Sequence, residues 1–138
     1  MKTKKVLLLM LLLLMSGGCF KRDNLEDIEI VTTVYPLEYV TQALYGENAQ
    51  IRSVYPNDTD TFGYTLTNKQ ISDASEKDLF VYNGITDDKE LAFELLEKNK
   101  NLLIIDASYG IEIVNHNAEL WLNPSNLLMI SQNIKNGL

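Results

Sequence analysis

Residues 78–82, DLFVY, put four apolar side chains in succession after an aspartate. Successive side chains of a strand point to opposite faces, so a strand with this pattern is buried on both. Residues 101–106, NLLIID, repeat the pattern. Upstream, IEIVTTVY at 28–35 and AQIRSVY at 49–55 are rich in β-branched and aromatic residues and predict two more strands, ended by Pro36 and Pro56. Between these two, apolar residues at 37, 40, 44 and 45 have the spacing of a helix face, with Gly46 as its stop. Thr67 is placed to cap a helix over Asn68–Ser75. Asp87 and Asp88 set acid at the positive end of a helix over Lys89–Lys98, and Asn123 or Ser125 caps a last helix running to about Asn136. Strands apolar on both faces and alternating with helices predict an α/β lobe: a four-stranded, mostly parallel sheet flanked by helices. Ligands of such sheets bind beyond the carboxyl ends of the strands, which here feed the loops 56–66, 83–87 and 107–123.

The chain begins MKTKKVLLLMLLLLMSGGC. Three lysines precede ten unbroken apolar residues, Val6–Met15, and Ser16, Gly17 and Gly18 lead into Cys19, the single cysteine. Ten apolar residues are about half the ~20 that span a bilayer, so this is the core of a signal peptide rather than a membrane helix. Small residues directly before a lone cysteine resemble a bacterial lipoprotein processing site, with Ser16 standing where leucine is usual. The resemblance implies a lipidated Cys19 as the new N-terminus, on the outer face of the cytoplasmic membrane. Residues 1–18 are then the signal peptide, 19–27 a polar tether, and 28–138 the folded lobe.

Removing the leader leaves nine basic against nineteen acidic residues, a formal charge of −10. That surface disfavours nucleic acid and anionic lipid as partners. A single cysteine and a single histidine, His116, exclude CxxC and His-rich metal sites. No Gly-rich phosphate loop, serine elbow or Cys–His pair is present, which points away from an enzyme.

IVTTVYPLEYVTQALYGENAQIRSVYP (30–56), LFVYNG (79–84), LLIIDASYGI (102–111) and ELWLNP (119–124), behind a lipoprotein-like start, resemble the metal-binding lipoproteins of zinc and manganese ABC transporters. The resemblance runs from about Ile28 to Leu138. It implies two α/β lobes joined by a long helix, with Zn²⁺ or Mn²⁺ held between them and handed to a permease. In that family the N-terminal lobe gives two histidines, and the C-terminal lobe a histidine or glutamate plus an aspartate.

Three departures follow from the resemblance. Phe62, within Thr61-Phe62-Gly63-Tyr64-Thr65, stands at the first histidine position, and a phenyl ring cannot ligate. Glu119, within Asn117–Pro124, stands at the second, where a carboxylate can still take a hard or borderline cation. The chain stops at Leu138, about where the linking helix would begin, so the implied C-terminal lobe is missing from it. Glu119, His116 and Asp60 are the candidate metal residues, with Asp58 beside them and Trp121, Tyr64 and Phe62 as a candidate aromatic patch. Two functions stay open. One is a divergent or split receptor that takes Zn²⁺ or Mn²⁺ to an ABC permease, completed by a second lobe or a homodimer. The other is a lipoprotein that has lost its metal and serves as a partner-binding surface module.

Overall fold

The computed structural model describes residues 27–56, 59, 63–112 and 119–137. The candidate residues Cys19, Asp58, Asp60, Phe62 and His116 lie outside them. The elements are β1 (Ile28–Thr32), α1 (Tyr35–Tyr45), β2 (Ala49–Ser53), α2 (Asn68–Ser75), β3 (Leu79–Tyr82), α3 (Asp88–Lys98), β4 (Leu103–Asp106), a 3₁₀ turn (Leu120–Leu122) and α4 (Pro124–Gly137). The strands lie in the order β2-β1-β3-β4, every neighbouring pair parallel, so the predicted sheet is borne out and is parallel throughout.

Register places Ile30 beside Leu79 and Val31 beside Phe80. One face gathers Ile30, Leu79, Val81 and Ile105 under Leu37 and Val40 of α1 and Ile130 and Ile134 of α4. The other gathers Val31, Phe80 and Tyr82 under Ile71 and Ala74 of α2 and Leu91, Ala92 and Leu95 of α3. All four residues of β3 are buried, Phe80 at 0% exposure, and its ring stacks on Tyr82 with centroids 5.7 Å apart. The chain leaves β1 toward one edge with its helix on one face. From β2 onward it moves toward the other edge with its helices on the opposite face. Reversing both direction and face keeps one hand throughout, as parallel crossovers require.

Helix ends follow local chemistry. Thr67 and Gln70 form a reciprocal capping box on α2. Gly46 follows α1 as predicted, its N–H on the Gln42 carbonyl at 2.8 Å. The Asn123 side chain accepts the Ser125 N–H at 2.9 Å as α4 begins. Several predicted boundaries move, among them the start of β4, from Asn101 to Leu103, and the start of α1, from Leu37 to Tyr35. The strands predicted to reach Tyr35 and Tyr55 end at Thr32 and Ser53. Pro36 falls in the first turn of α1, where its missing N–H costs nothing, so it opens a helix instead of closing a strand. Asp78 precedes β3, its carboxylate accepting the Glu29 N–H at 2.9 Å.

One reading of the hydrophobic pattern is corrected. NLLIID suggests a strand covered on both faces, but Leu103 is 60% exposed and Ile104 37%. β4 is an edge strand of the sheet, and the layer of α1 and α4 covers Ile105 on one face without closing over the start of the strand. Phe80→Ala should therefore cost about 3–5 kcal/mol, while Leu103→Thr should stay within about 0.5 kcal/mol of wild type. A domain holds about 5–15 kcal/mol in all, so the first change should show as a large drop in the urea midpoint and the second as none.

Candidate functional site

Parallel strands end together, and the order β2-β1-β3-β4 makes β1 and β3 the neighbours whose connections depart to opposite edges. The backbone parts beyond that point. A cleft of about 1070 Å³ opens there. Its floor is Asn83 and Ile85–Asp88, following β3. One wall is Ser53, Tyr55, Pro56, Thr59 and Gly63–Thr65. The other is Val34–Pro36 with Glu119 and Trp121. Each of the three loops predicted to face a ligand contributes. Val34–Pro36, Ser53, Tyr55 and Asp88 lie outside those loops.

The floor is held by backbone and side-chain hydrogen bonds. Thr86 Oγ1 donates to the Asn83 carbonyl at 2.9 Å, and the Asn83 side chain accepts the Ile85 N–H at 3.3 Å. Asp106, at the end of β4, accepts on one carboxylate oxygen from Gly84 N–H at 3.1 Å, Ser108 N–H at 2.9 Å and Ser108 Oγ at 2.6 Å. A Cβ on residue 84 would overlap that carboxylate, which is why glycine stands there. Asn133 of α4 donates to the Ala107 and Tyr109 carbonyls at 3.0 and 2.9 Å, fixing the chain as it leaves β4.

Glu119 is exposed and lines the cleft at the start of the 3₁₀ turn. Trp121 is half-buried, packs on the core beneath α1 and α4, and also reaches the cleft. Tyr64 shares the cleft, so two members of the candidate aromatic patch do meet one space. Among the described residues, no three of His, Cys, Asp and Glu cluster as an ion would need.

Asp88 is the buried acid of the site, 7% exposed. Asp87 and Asp88 do stand at the start of α3, as predicted, but neither the periodicity nor the dipole indicated that one of them turns inward. The Tyr55 hydroxyl donates to Asp88 Oδ1 at 3.3 Å, and Asp88 N–H donates to Thr86 Oγ1 at 3.4 Å. Thr33, fully buried, also favours the charged carboxylate. Burial pushes the Asp88 carboxyl above the usual carboxylate range, against the pull of the surrounding hydroxyls. Burial first, and the Asp88 charge second, push the Tyr55 phenol up.

A parallel α/β sheet with a cleft past its strand ends defines a ligand-binding lobe. This chain belongs to the family described as zinc-uptake complex component A, periplasmic, whose model matches residues 30–138. It is 27% identical over 144 aligned residues to the manganese ABC transporter substrate-binding lipoprotein PsaA of Streptococcus pneumoniae, covering 94% of this chain and 46% of that one. The crystal structure of ZnuA superposes with a TM-score of 0.73 at 20% identity, over 80% of this chain and 46% of that one. The metal-dependent lipoprotein YcdH of Bacillus subtilis superposes with a TM-score of 0.70 at 24% identity, over 79% and 42%. The chain thus spans less than half the length of these relatives. The structural likenesses show the fold: one lobe of theirs.

A carboxyl raised by burial adds stability that is full below its unfolded value, 3.8, and lost as pH rises through its folded value. Asp88→Asn removes that loss. Wild type should therefore lose stability relative to Asp88→Asn as pH rises from about 4 to 7, read as diverging urea midpoints across that window.

Proposed function

We propose that this chain is the N-terminal lobe of a lipid-tethered receptor that takes up Zn²⁺ or Mn²⁺ outside the cytoplasmic membrane and delivers it to an ABC permease. Cys19 is its anchor, residues 19–27 its tether and 28–138 its lobe. It acts by binding, not catalysis. The observation that carries this reading is the cleft at the strand ends with the Glu119 carboxylate on its rim, at a position that the family resemblance gives to a metal ligand. Membership of the zinc-uptake family and the likeness to a manganese transporter lipoprotein support it.

The site needs completing from outside the described cleft. A divalent cation takes four or more ligands, and Glu119 supplies one or two oxygens. His116 and Asp60 are the residues of this chain proposed to add to it. A second lobe, on another chain or from a second copy, is proposed to close it, since the relatives are about twice as long.

A second reading has its own support. Phe62 replaces a family histidine, and the described residues hold no metal-sized cluster. A lobe that kept the fold without the metal would act as a surface module for a protein partner.

Titration calorimetry of the purified protein with Zn²⁺ and Mn²⁺, beside Glu119→Ala, decides between them. The receptor reading expects a dissociation constant of about micromolar or below, weakened at least about tenfold in the variant, which is about 1.4 kcal/mol. Heat no greater than that of a nonspecific acidic surface, alike in both proteins, overturns metal binding by this chain alone. The anchor has a separate test. Cys19→Ser should move the protein from the detergent phase to the aqueous phase on Triton X-114 partition, and an unchanged distribution overturns lipidation at Cys19.

A further inference from the structure

We infer that Asp88 and Tyr55 form a latch that sets the width of the cleft by tying the wall that follows β2 to the floor at the start of α3.

The two residues approach from different elements. Tyr55 leaves β2 two residues after its last paired position, Ser53, and Asp88 opens α3. Their hydroxyl–carboxylate contact, 3.3 Å, spans wall to floor within the cleft that both line. The helix dipole accounts for an acid at this end of α3, but an acid acts on the dipole equally well from solvent, as exposed Glu90 does. It does not account for a carboxylate that is 93% buried, with neutral hydroxyls around it and no lysine or arginine among its partners. Burying such a group is costly unless it is compensated; Thr33, Thr86 and the Asn83 backbone N–H favour its charged form from the end of β1, the floor and the end of β3, and the Tyr55 hydroxyl is the partner that comes from the wall after β2.

Tyr55 is braced on its other side. Its ring meets Tyr64 edge to face, centroids 5.9 Å apart at 83°. The Tyr64 hydroxyl accepts from the Gln70 side chain at 3.3 Å, and Gln70 closes the capping box of α2. The two ends of the wall are thus held to each other and to α2, and Asp88 joins the assembly to α3. Releasing that contact frees Tyr55 to swing and leaves the cleft without a fixed width. Asp88 is here a positioning residue, not a ligand.

Hydrogen exchange read by mass spectrometry on the purified full chain tests this without any metal. Tyr55→Phe and Asp88→Ala should each speed exchange in peptides covering 54–56 and 63–66 by about five- to tenfold, leaving Phe80 and Val81 as slow as in wild type. The double variant should go no further than either single one. Asp88→Asn, which keeps an oxygen acceptor for the Tyr55 hydroxyl, should restore slow exchange. Unchanged exchange, a rise shared equally by Phe80 and Val81, or no rescue by Asp88→Asn overturns the latch. The link to ligand binding rests on the proposed function and is read separately. Where wild type takes Zn²⁺ or Mn²⁺, Tyr55→Phe should bind it several-fold more weakly, and equal affinity overturns the latch's role in the site. A wild type that takes neither ion overturns the proposed function, while the exchange results still decide the latch.

Discussion

The structure depends on β3 being buried from both sides. Leu79 and Val81 face one helical layer and Phe80 and Tyr82 the other, so neither layer is complete without this strand. A strand with apolar residues at every position cannot sit at an edge or carry a solvent face without exposing half of them. It therefore takes a central place, flanked by β1 and β4, and commits the chain to helices on both faces. The reversal of winding between β1 and β3 follows, and with it the gap between their connections. The cleft is a geometric by-product of how the sheet hides its most apolar strand.

Keeping that gap in shape falls to a few polar groups. Asp106 ends the strand beside β3 and ties two connections together through one carboxylate oxygen, with Gly84 admitting the close approach. Asn133 reaches back from α4 to two carbonyls of the chain leaving β4. These bonds satisfy backbone groups that leave the sheet ladder, the obligation any buried strand end must meet. The same groups that close the hydrogen-bond accounts of the fold thereby hold the floor of the cleft at Gly84 and the chain beside it as it leaves β4.

The contrast between what was legible in the residues and what was not has a physical pattern. Alternation and caps are local, so β3, the Thr67 cap and the helix start at Asp87–Asp88 were readable along the chain. Position in the sheet is not local. LIID of β4 and LFVY of β3 look alike in composition, yet strand order leaves Leu103 exposed at the edge and Phe80 enclosed. Pro36 shows a related ambiguity, since a proline both ends strands and opens helices, and the choice was made by α1 packing on the sheet. Within the cleft, Glu119 was found because its sequence neighbours are distinctive. Asp88 and Tyr55 lie 33 residues apart, and no spacing rule connects them. The usable signal was doubled acid at a helix start, where one residue suffices for the dipole and the other is left over for a different task.

Two of the acids that line the cleft, buried Asp88 and exposed Glu119, are suited to opposite roles, and the reason is solvation. A buried carboxylate surrounded by hydroxyls already has hydrogen-bond partners, and drawing a cation to it would mean breaking those contacts. An exposed carboxylate on a rim meets an ion at a smaller desolvation cost than a buried one, but by itself it holds that ion loosely. A lobe whose cleft has its buried acid engaged and its other acids exposed presents a site rather than encloses one. In the proposed receptor the inner acid holds the wall still, and Glu119 is the outer acid proposed to offer the contact. Selectivity and tight binding have to come from ligands that approach from across the cleft. In the proposed receptor, then, Asp88 and Tyr55, which shape the cleft, are not the residues that would touch the metal, so the cleft can keep its form whatever stands at the ligand positions.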